Sequence, residues 1–276
     1  ATVTADTAAN LNTNLANATA TDLLSLRVNG TTASATDLIA LDGKISQTID
    51  ATSLTTINGT AGDDTINLNG MDVTFAGSIT VNSGAGNDTL IGTTGDETFQ
   101  FLDADFSNLD SVDGLSGNDT IAFTDAMNKD YETDFTGISN IDNILGSTSG
   151  DTYSLDFSNI GVLVFDANTG SDTVSLTGAG TTTVSDTQFD NIETLDITGL
   201  ATGDTLDITY DNLSAWLELG TTSLTLSVND TGGNIDSGNQ ITITDNNGQT
   251  NVAVNTTGTY SLFDASGTNQ LDLIVV

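Results

Sequence analysis

Ser83–Ile91 reads SGAGNDTLI. Gly84 and Gly86 alternate with small residues, and Asn87, Asp88 and Thr89 lead into the aliphatic pair Leu90–Ile91. No residue here is an activated nucleophile, and a segment rich in carboxylates repels a phosphate. Glycines supply the positive φ values that tight corners need. Thr followed by aliphatic residues suits a pleated, half-buried surface. The stretch therefore reads as a corner that feeds a short strand. GTAGDDTIN at 59–67, GLSGNDTIA at 114–122 and ANTGSDTVS at 167–175 repeat that grammar.

Outward from these corners, a longer unit recurs. Segments opening at Phe75, Phe106, Phe135, Phe157 and Phe189 each hold an aliphatic alternation, a Gly-Asp turn, a Thr and a second alternation. In DTVSL, Val174 and Leu176 alternate strictly with polar residues, which places one face inward. One such unit cannot bury its apolar face alone, but stacked neighbours can. The intervals between the Phe residues are irregular, so the coils would carry loops of varied length. Stacked coils and an ordinary β-sandwich both satisfy this pattern; the stack accounts for the repeat as well. The expected fold class is all-β, with β-solenoid or β-roll-like coils over 55–210.

The flanks differ. Residues 1–54 read as a partly helical segment. In TASATDLIALDGK, Ser34 or Thr36 would cap a short helix, Leu38, Ile39 and Leu41 would form its apolar side, and Gly43 would stop it. ATATDLLSL at 18–26 looks like a degenerate copy of ASATDLIAL at 33–41. Residues 211–276 contain SLTLSVND, QITITDNNG, TNVAVNTTG and LDLIVV, expected as antiparallel strands joined by NNG and TGG turns. Trp216 is expected to anchor the join by packing.

Composition narrows the function. Against 38 acidic residues stand Arg27, Lys44 and Lys129, for a formal net charge of −35. Nucleic acid and anionic membrane surfaces need clustered cations, so neither is an expected partner. No stretch approaches the roughly 20 apolar residues of a membrane span, so no membrane insertion is expected. ATVTADTAAN lacks the basic and apolar regions of a secretory signal. Without Cys or His, thiol chemistry and zinc catalysis lose their usual groups. Such a charge favours disorder, but 37% hydrophobic residues in alternating runs favour folding. Self-repulsion calls for neutralisation, for which dissolved divalent cations are suited.

The corners follow the nonapeptide G-G-x-G-x-D-x-U-x, with U a large apolar residue. Gly84, Gly86, Asp88 and Leu90 match it, with Ser83 in place of the first Gly; Gly62, Asp64 and Ile66, and Gly117, Asp119 and Ile121, match it too. Gly170, Asp172 and Val174 fit more loosely. The chain thus resembles the RTX family of secreted calcium-binding proteins. The resemblance implies Ca²⁺ held by Asp64, Asp88 and Asp119, with backbone carbonyls from Gly84, Gly86 and their equivalents Gly59 and Gly114. Asp63, Asp96, Glu97 and Asp172 complete the implied metal set, Glu97 standing at the Asp position. Ca²⁺ takes six to eight oxygens, which suits carboxylates and turned carbonyls. The corners also depart from the family, where nonapeptides run in tandem; around Asp151 and Asp204 the Asp comes one place early. Tight-turn chemistry alone is the other reading of Gly-Asn-Asp.

FDNIETLDITG resembles a recurrent segment of bacterial surface-layer proteins and large secreted adhesins, and GTNQLDLIVV resembles the end of type I secretion substrates. The implied role is structural rather than enzymatic. It is a secreted calcium-binding protein on a bacterial surface that joins copies of itself into a filament or lattice. An adhesin segment that binds a cell-surface polysaccharide or another surface is the alternative. An ice-binding face would want flat Thr ladders, for which the sequence shows no regular TxT array.

Overall fold

The computed structural model describes residues 1–156, 159, 163–178, 181–183, 188–200, 205–217, 222–227, 240–244, 252–254, 257–263 and 270–276. By packing, the chain forms two compact units: Ala1–Ala122 with Gly137–Asp142, and Phe123–Thr136 with Asn143–Val276. Both are built from parallel β-coils.

In the first unit, Thr32–Ser34, Thr56–Thr60, Ile79–Gly84 and Glu97–Phe101 lie parallel and in register. Ala33, Ile57, Val81 and Phe99 form one buried file along that sheet. Thr65–Asn67, Thr89–Ile91, Ser111–Asp113 and Ile138–Ser139 form a second parallel sheet. Its inner file is Ile66, Leu90 and Val112, all fully buried. Parallel neighbours need a crossover connection; here the chain makes it by travelling once round each coil. Burying each of these aliphatic side chains contributes about 1.5–3 kcal/mol, gained only when the next coil is present.

The second unit continues the principle. Asn128–Asp130, Thr152–Asp156, Thr173–Gly178, Thr194–Leu200, Ser223–Ser227 and Gln270–Val275 are successive parallel neighbours. Tyr153, Val174, Leu195 and Leu226 are their buried file. Tyr153 stacks at a tilt on Phe165 with ring centroids 4.7 Å apart. Trp216 is fully buried and meets Phe189 edge-on at 5.7 Å, the packing role expected of it.

The all-β fold of stacked coils is therefore present, with short helices at Ala8–Asn14, Ala35–Asp42, Tyr131–Asp134 and Tyr210–Trp216. Ser34 caps the second helix, its Oγ accepting the Asp37 N–H at 3.3 Å. Leu38 and Leu41 are buried, but Ile39 is 41% exposed and belongs to the outer side. Gly43 ends this helix in a right-handed conformation. The first two helices pack on each other and on the first strand. The second copy of that pattern, at 18–26, is not helical. There the Asp22 carboxylate takes the Thr19 N–H at 2.9 Å and closes a turn instead.

Among the described residues antiparallel pairing is found in two pairs, Gln240–Thr244 with Val252–Val254 and Gly258–Phe263 with Gln270–Val275. Ser223–Ser227 and Gln270–Val275 themselves run parallel, because their buried leucines extend the inner file of the coils. The NNG and TGG turns, Phe157 and Asp204 lie outside the described residues. Among the described residues no helix is long and apolar enough to cross a membrane.

Candidate functional site

Each corner ends on an acid at the mouth of a strand, just before it at Asp64 and Asp88 and as its first residue at Glu97, and these acids stack. In the first unit the Asp64 N–H donates to Asp88 Oδ1 at 2.9 Å, and the Asp88 N–H donates to Asp110 Oδ1 at 2.8 Å. A second column runs from the Glu97 N–H to Asp119 Oδ1 at 2.8 Å and from the Asp119 N–H to Asp142 Oδ2 at 2.9 Å. In the second unit, the Met127 N–H donates to Asp151 Oδ1 at 2.6 Å and the Asp151 N–H to Asp172 Oδ1 at 2.7 Å. The Asp172 N–H then donates to Glu193 Oε2 at 2.8 Å. The bonded residues lie 21 to 24 positions apart, one coil each. One residue onward the backbone ladder takes over, as where the Thr89 N–H donates to Asp64 O. The carboxylates thus accept the backbone donors at the mouth of each sheet, with charge-assisted hydrogen bonds.

Two kinds of corner build these columns. At Asp64, Oδ2 accepts the Thr60 N–H at 2.6 Å and the Thr60 hydroxyl at 3.0 Å. Glu97 accepts the Thr93 N–H and hydroxyl, and Asp151 those of Ser147, one on each carboxylate oxygen. At Asp88, Asp119 and Asp172, the residue four places earlier has a positive φ: Gly84 at 90°, Leu115 at 72° and Asn168 at 71°. Asp88 Oδ2 and Asp119 Oδ2 are buried without a hydrogen-bond partner, and each residue is only 1% exposed.

Glycine five places before the acid makes room for it. A Cβ on Gly114 would lie 2.5 Å from Asp119 Oδ2 and 2.2 Å from Asn140 O. On Gly92 it would lie 2.5 Å from Glu97 Oε2, and on Gly59 2.8 Å from Asp64 Oδ2. Ser83 occupies this place before Asp88 and is fully buried. Gly86, at φ 127°, stacks so closely on the neighbouring corner that a Cβ would stand 2.6 Å from Gly62 C. The exposed acids Asp63 and Asp96 clasp in the reverse direction, accepting the Asn87 N–H at 2.9 Å and the Asn118 N–H at 2.8 Å.

Burial pushes Asp119 up to about 6, helped by the charges of Glu97, Asp142 and Asp96 and opposed by the Glu97 N–H. Asp88 is raised for the same first reason, with Asp110 and Asp64 adding repulsion. The Asp64 N–H and the nearby Ser83 hydroxyl oppose that rise.

The structure brings Asp64 together with Asp88, and Glu97 with Asp119, each pair sharing one backbone hydrogen bond. Asp172 stands in the second unit's column. Sequence reasoning missed Asp110, Asp142 and Glu193, which end the columns. The signal was there: FSNLD, ISNID and FDNIE each carry Asn, an aliphatic residue and an acid. Asp151 is in register with its column; the glycine is displaced there, not the acid.

Among the described residues no three acidic side chains are placed to hold a metal ion. The unpartnered Asp119 Oδ2, with Asn140 O crowding the same side of Gly114, fits the first oxygens of a hard cation. Further ligands would be backbone carbonyls and water. Comparison of the chain with protein-family models, curated proteins and solved structures finds no match.

Proposed function

We propose that this is a secreted structural protein whose coils are locked by Ca²⁺ and which joins copies of itself into an extracellular layer or filament on a bacterial surface. One observation carries the reading: Asp119 Oδ2 is a buried carboxylate oxygen with nothing bonded to it, and Asp88 Oδ2 is buried with only the Ser83 hydroxyl near its carboxylate. A desolvated carboxylate is stable only if something neutralises it. In a chain of net charge −35, protein cations are too few, so a proton or a dissolved cation must serve. Ca²⁺ is the hard, oxygen-seeking ion that suits carboxylates beside turned carbonyls, with dissociation constants of ~10⁻⁴–10⁻³ M in extracellular modules.

Asp88 and Asp119 would hold the ion, and Asp63, Asp96, Asp64 and Glu97 would set the corner around it. Bound Ca²⁺ supplies positive charge that offsets repulsion between coils. Binding free energy then becomes folding free energy. Where calcium is scarce the chain stays open for export, and where it is abundant the coils close. Contacts between copies that do not close on themselves propagate into filaments or layers.

Thermal melting and sedimentation in Ca²⁺, in chelator, and in sodium chloride of matched ionic strength test this. Calcium should raise the melting temperature and produce large assemblies that chelator disperses. Equal melting and equal particle size in all three would overturn the proposal.

A further inference from the structure

We infer that a notch beside the edge strand Val73–Thr74 docks an extended, basic peptide segment of a partner protein, taken up as an added strand. A third side of the first unit's coils is built by short parallel pairings: Thr2 with Ser25, Asp6 with Val28, Arg27 with Asp50, and Ile49–Asp50 with Val73–Thr74. The pairing stops at that last strand. Asn67 lies in register with Ile91 and Ile79 with Glu97, so residues 68–78 of one coil answer to only 92–96 of the next. The next coil is too short to make a third side. A cavity of about 560 Å³ takes its place, lined by Val73, Phe75, Ala76, Thr93 and Asp96 among others.

The strand edge at the notch has backbone groups to offer. The Ile49 and Ala51 N–H groups donate to Asp72 O at 2.8 Å and Thr74 O at 3.0 Å. In a parallel ladder alternate residues bond to opposite sides, so the N–H and C=O groups of Val73 and Phe75 point away from that neighbour. Among the described residues no strand lies on their side. Folded proteins usually cover or blunt such an edge; here it borders a space where a strand is missing. Strand addition uses these groups, with main-chain hydrogen bonds giving affinity and alternate side chains giving specificity. The occupant is therefore extended polypeptide, whose own N–H and C=O groups alternate at the spacing of the edge.

Charge narrows the occupant. Asp96 is exposed on the wall of the notch and is held in place by the Asn118 N–H at 2.8 Å. Glu97 is buried with its oxygens taken by Thr93, so it adds its field and no contact. No Lys or Arg lines the notch. The chain's own cations are placed elsewhere: Arg27 lies 3.7 Å from Asp50, Lys44 donates to Asn12 O at 2.8 Å, and Lys129 belongs to the second unit. A Lys or Arg on an added strand meets the Asp96 carboxylate and the half-buried Phe75, both of which attract a cation. A second copy has no such strand to give, because its three cations stand singly among 38 acidic residues. The partner is a different protein with a basic, strand-forming segment. This inference stands on the backbone and charge of the notch and does not depend on bound calcium.

The test uses the full chain in Ca²⁺ and fluorescence anisotropy with three labelled synthetic peptides. One alternates Lys with Val between Thr residues, one has Glu in place of Lys, and one is the Lys peptide with alternate backbone amides methylated. The Lys peptide should bind, and the Glu peptide should not. Methylation keeps the charge but removes main-chain donors, and should weaken binding about tenfold. Ala76→Lys puts a cation at an exposed position in the notch and should also weaken it about tenfold. Ala9→Lys makes the same change in net charge on the exposed side of the first helix and should bind as wild type does. Both variants keep every acid of the calcium reading, so their calcium-dependent melting should match the wild type. A chain that binds the Lys peptide yet melts alike with and without calcium sinks the calcium proposal and leaves this one standing. Four results would overturn the inference: no binding of the Lys peptide, equal binding of the Glu peptide, equal binding of the methylated peptide, or equal losses in Ala76→Lys and Ala9→Lys.

Discussion

The corners at 60–64 and 84–88 sit on neighbouring coils, and their acids share a hydrogen bond, yet they solve the same problem in opposite ways. Both end on an Asp immediately before a strand. At Asp64 the second carboxylate oxygen takes the Thr60 backbone and hydroxyl. At Asp88 the equivalent residue is Gly84, whose φ of 90° turns the backbone elsewhere, and the second oxygen is left bare. The pair at 93–97 and 115–119 repeats the contrast, with Leu115 in the left-handed conformation. One residue four places upstream thus separates a carboxylate that staples its own corner from one that keeps an oxygen bare.

Predictions that sharpen or break this contrast run from large to small. Gly84→Ala should be the most damaging: its Cβ would lie 1.6 Å from Thr60 O at a φ that L-residues rarely adopt. A loss of about 3 kcal/mol or more is expected in urea unfolding, whereas Gly77→Ala, with nothing within 4 Å, should stay within about 0.5 kcal/mol. Asp64→Asn should lose about 1–2 kcal/mol with or without calcium, since the two Thr60 bonds to Oδ2 lose their charge assistance. Asp119→Asn should behave oppositely. It keeps the acceptor for the Glu97 N–H, removes the unpaired charge, and should melt no lower than wild type in chelator while calcium raises its melting temperature less. If Asp64→Asn and Asp119→Asn respond alike, the two kinds of corner are not distinct.

The pH response follows from Asp119, whose carboxyl is pushed up to about 6 by burial. A group whose pKa rises on folding holds its proton more tightly in the folded chain. Its contribution is full below the ordinary carboxylate pKa and fades as pH climbs through about 6. Metal-free protein should therefore melt higher at the lower end of that window than at neutral pH. Calcium should flatten the slope, and calorimetry across that range reads both effects. Thr60→Val should show the smallest change, about 1 kcal/mol, from the lost hydroxyl bonds to Asp64 and from Gly62.

Much of the coil was legible in the chain. The alternation in DTVSL and the Gly-Asp corners announced short strands joined by tight turns, and the structure places Val174 and Leu176 inward. The Phe residues misled as rulers, because the repeat is set by the acids at strand mouths. The column ends at Asp110, Asp142 and Glu193 were written in FSNLD, ISNID and FDNIE, but were read only as part of the Phe unit. The helix at 35–42 and its failed copy at 18–26 carry nearly the same letters, so propensity alone could not separate them.

Local chemistry was enough to establish that this chain turns at Gly-Asp corners, alternates into strands and carries a charge that needs neutralising, because backbone conformation and side-chain period act over a few neighbouring residues. Which acid meets which N–H and which carboxylate oxygen is left bare are set by contacts 21 to 24 positions apart. Those contacts exist only when one coil lies in register on the next, and register is a property of the packed stack.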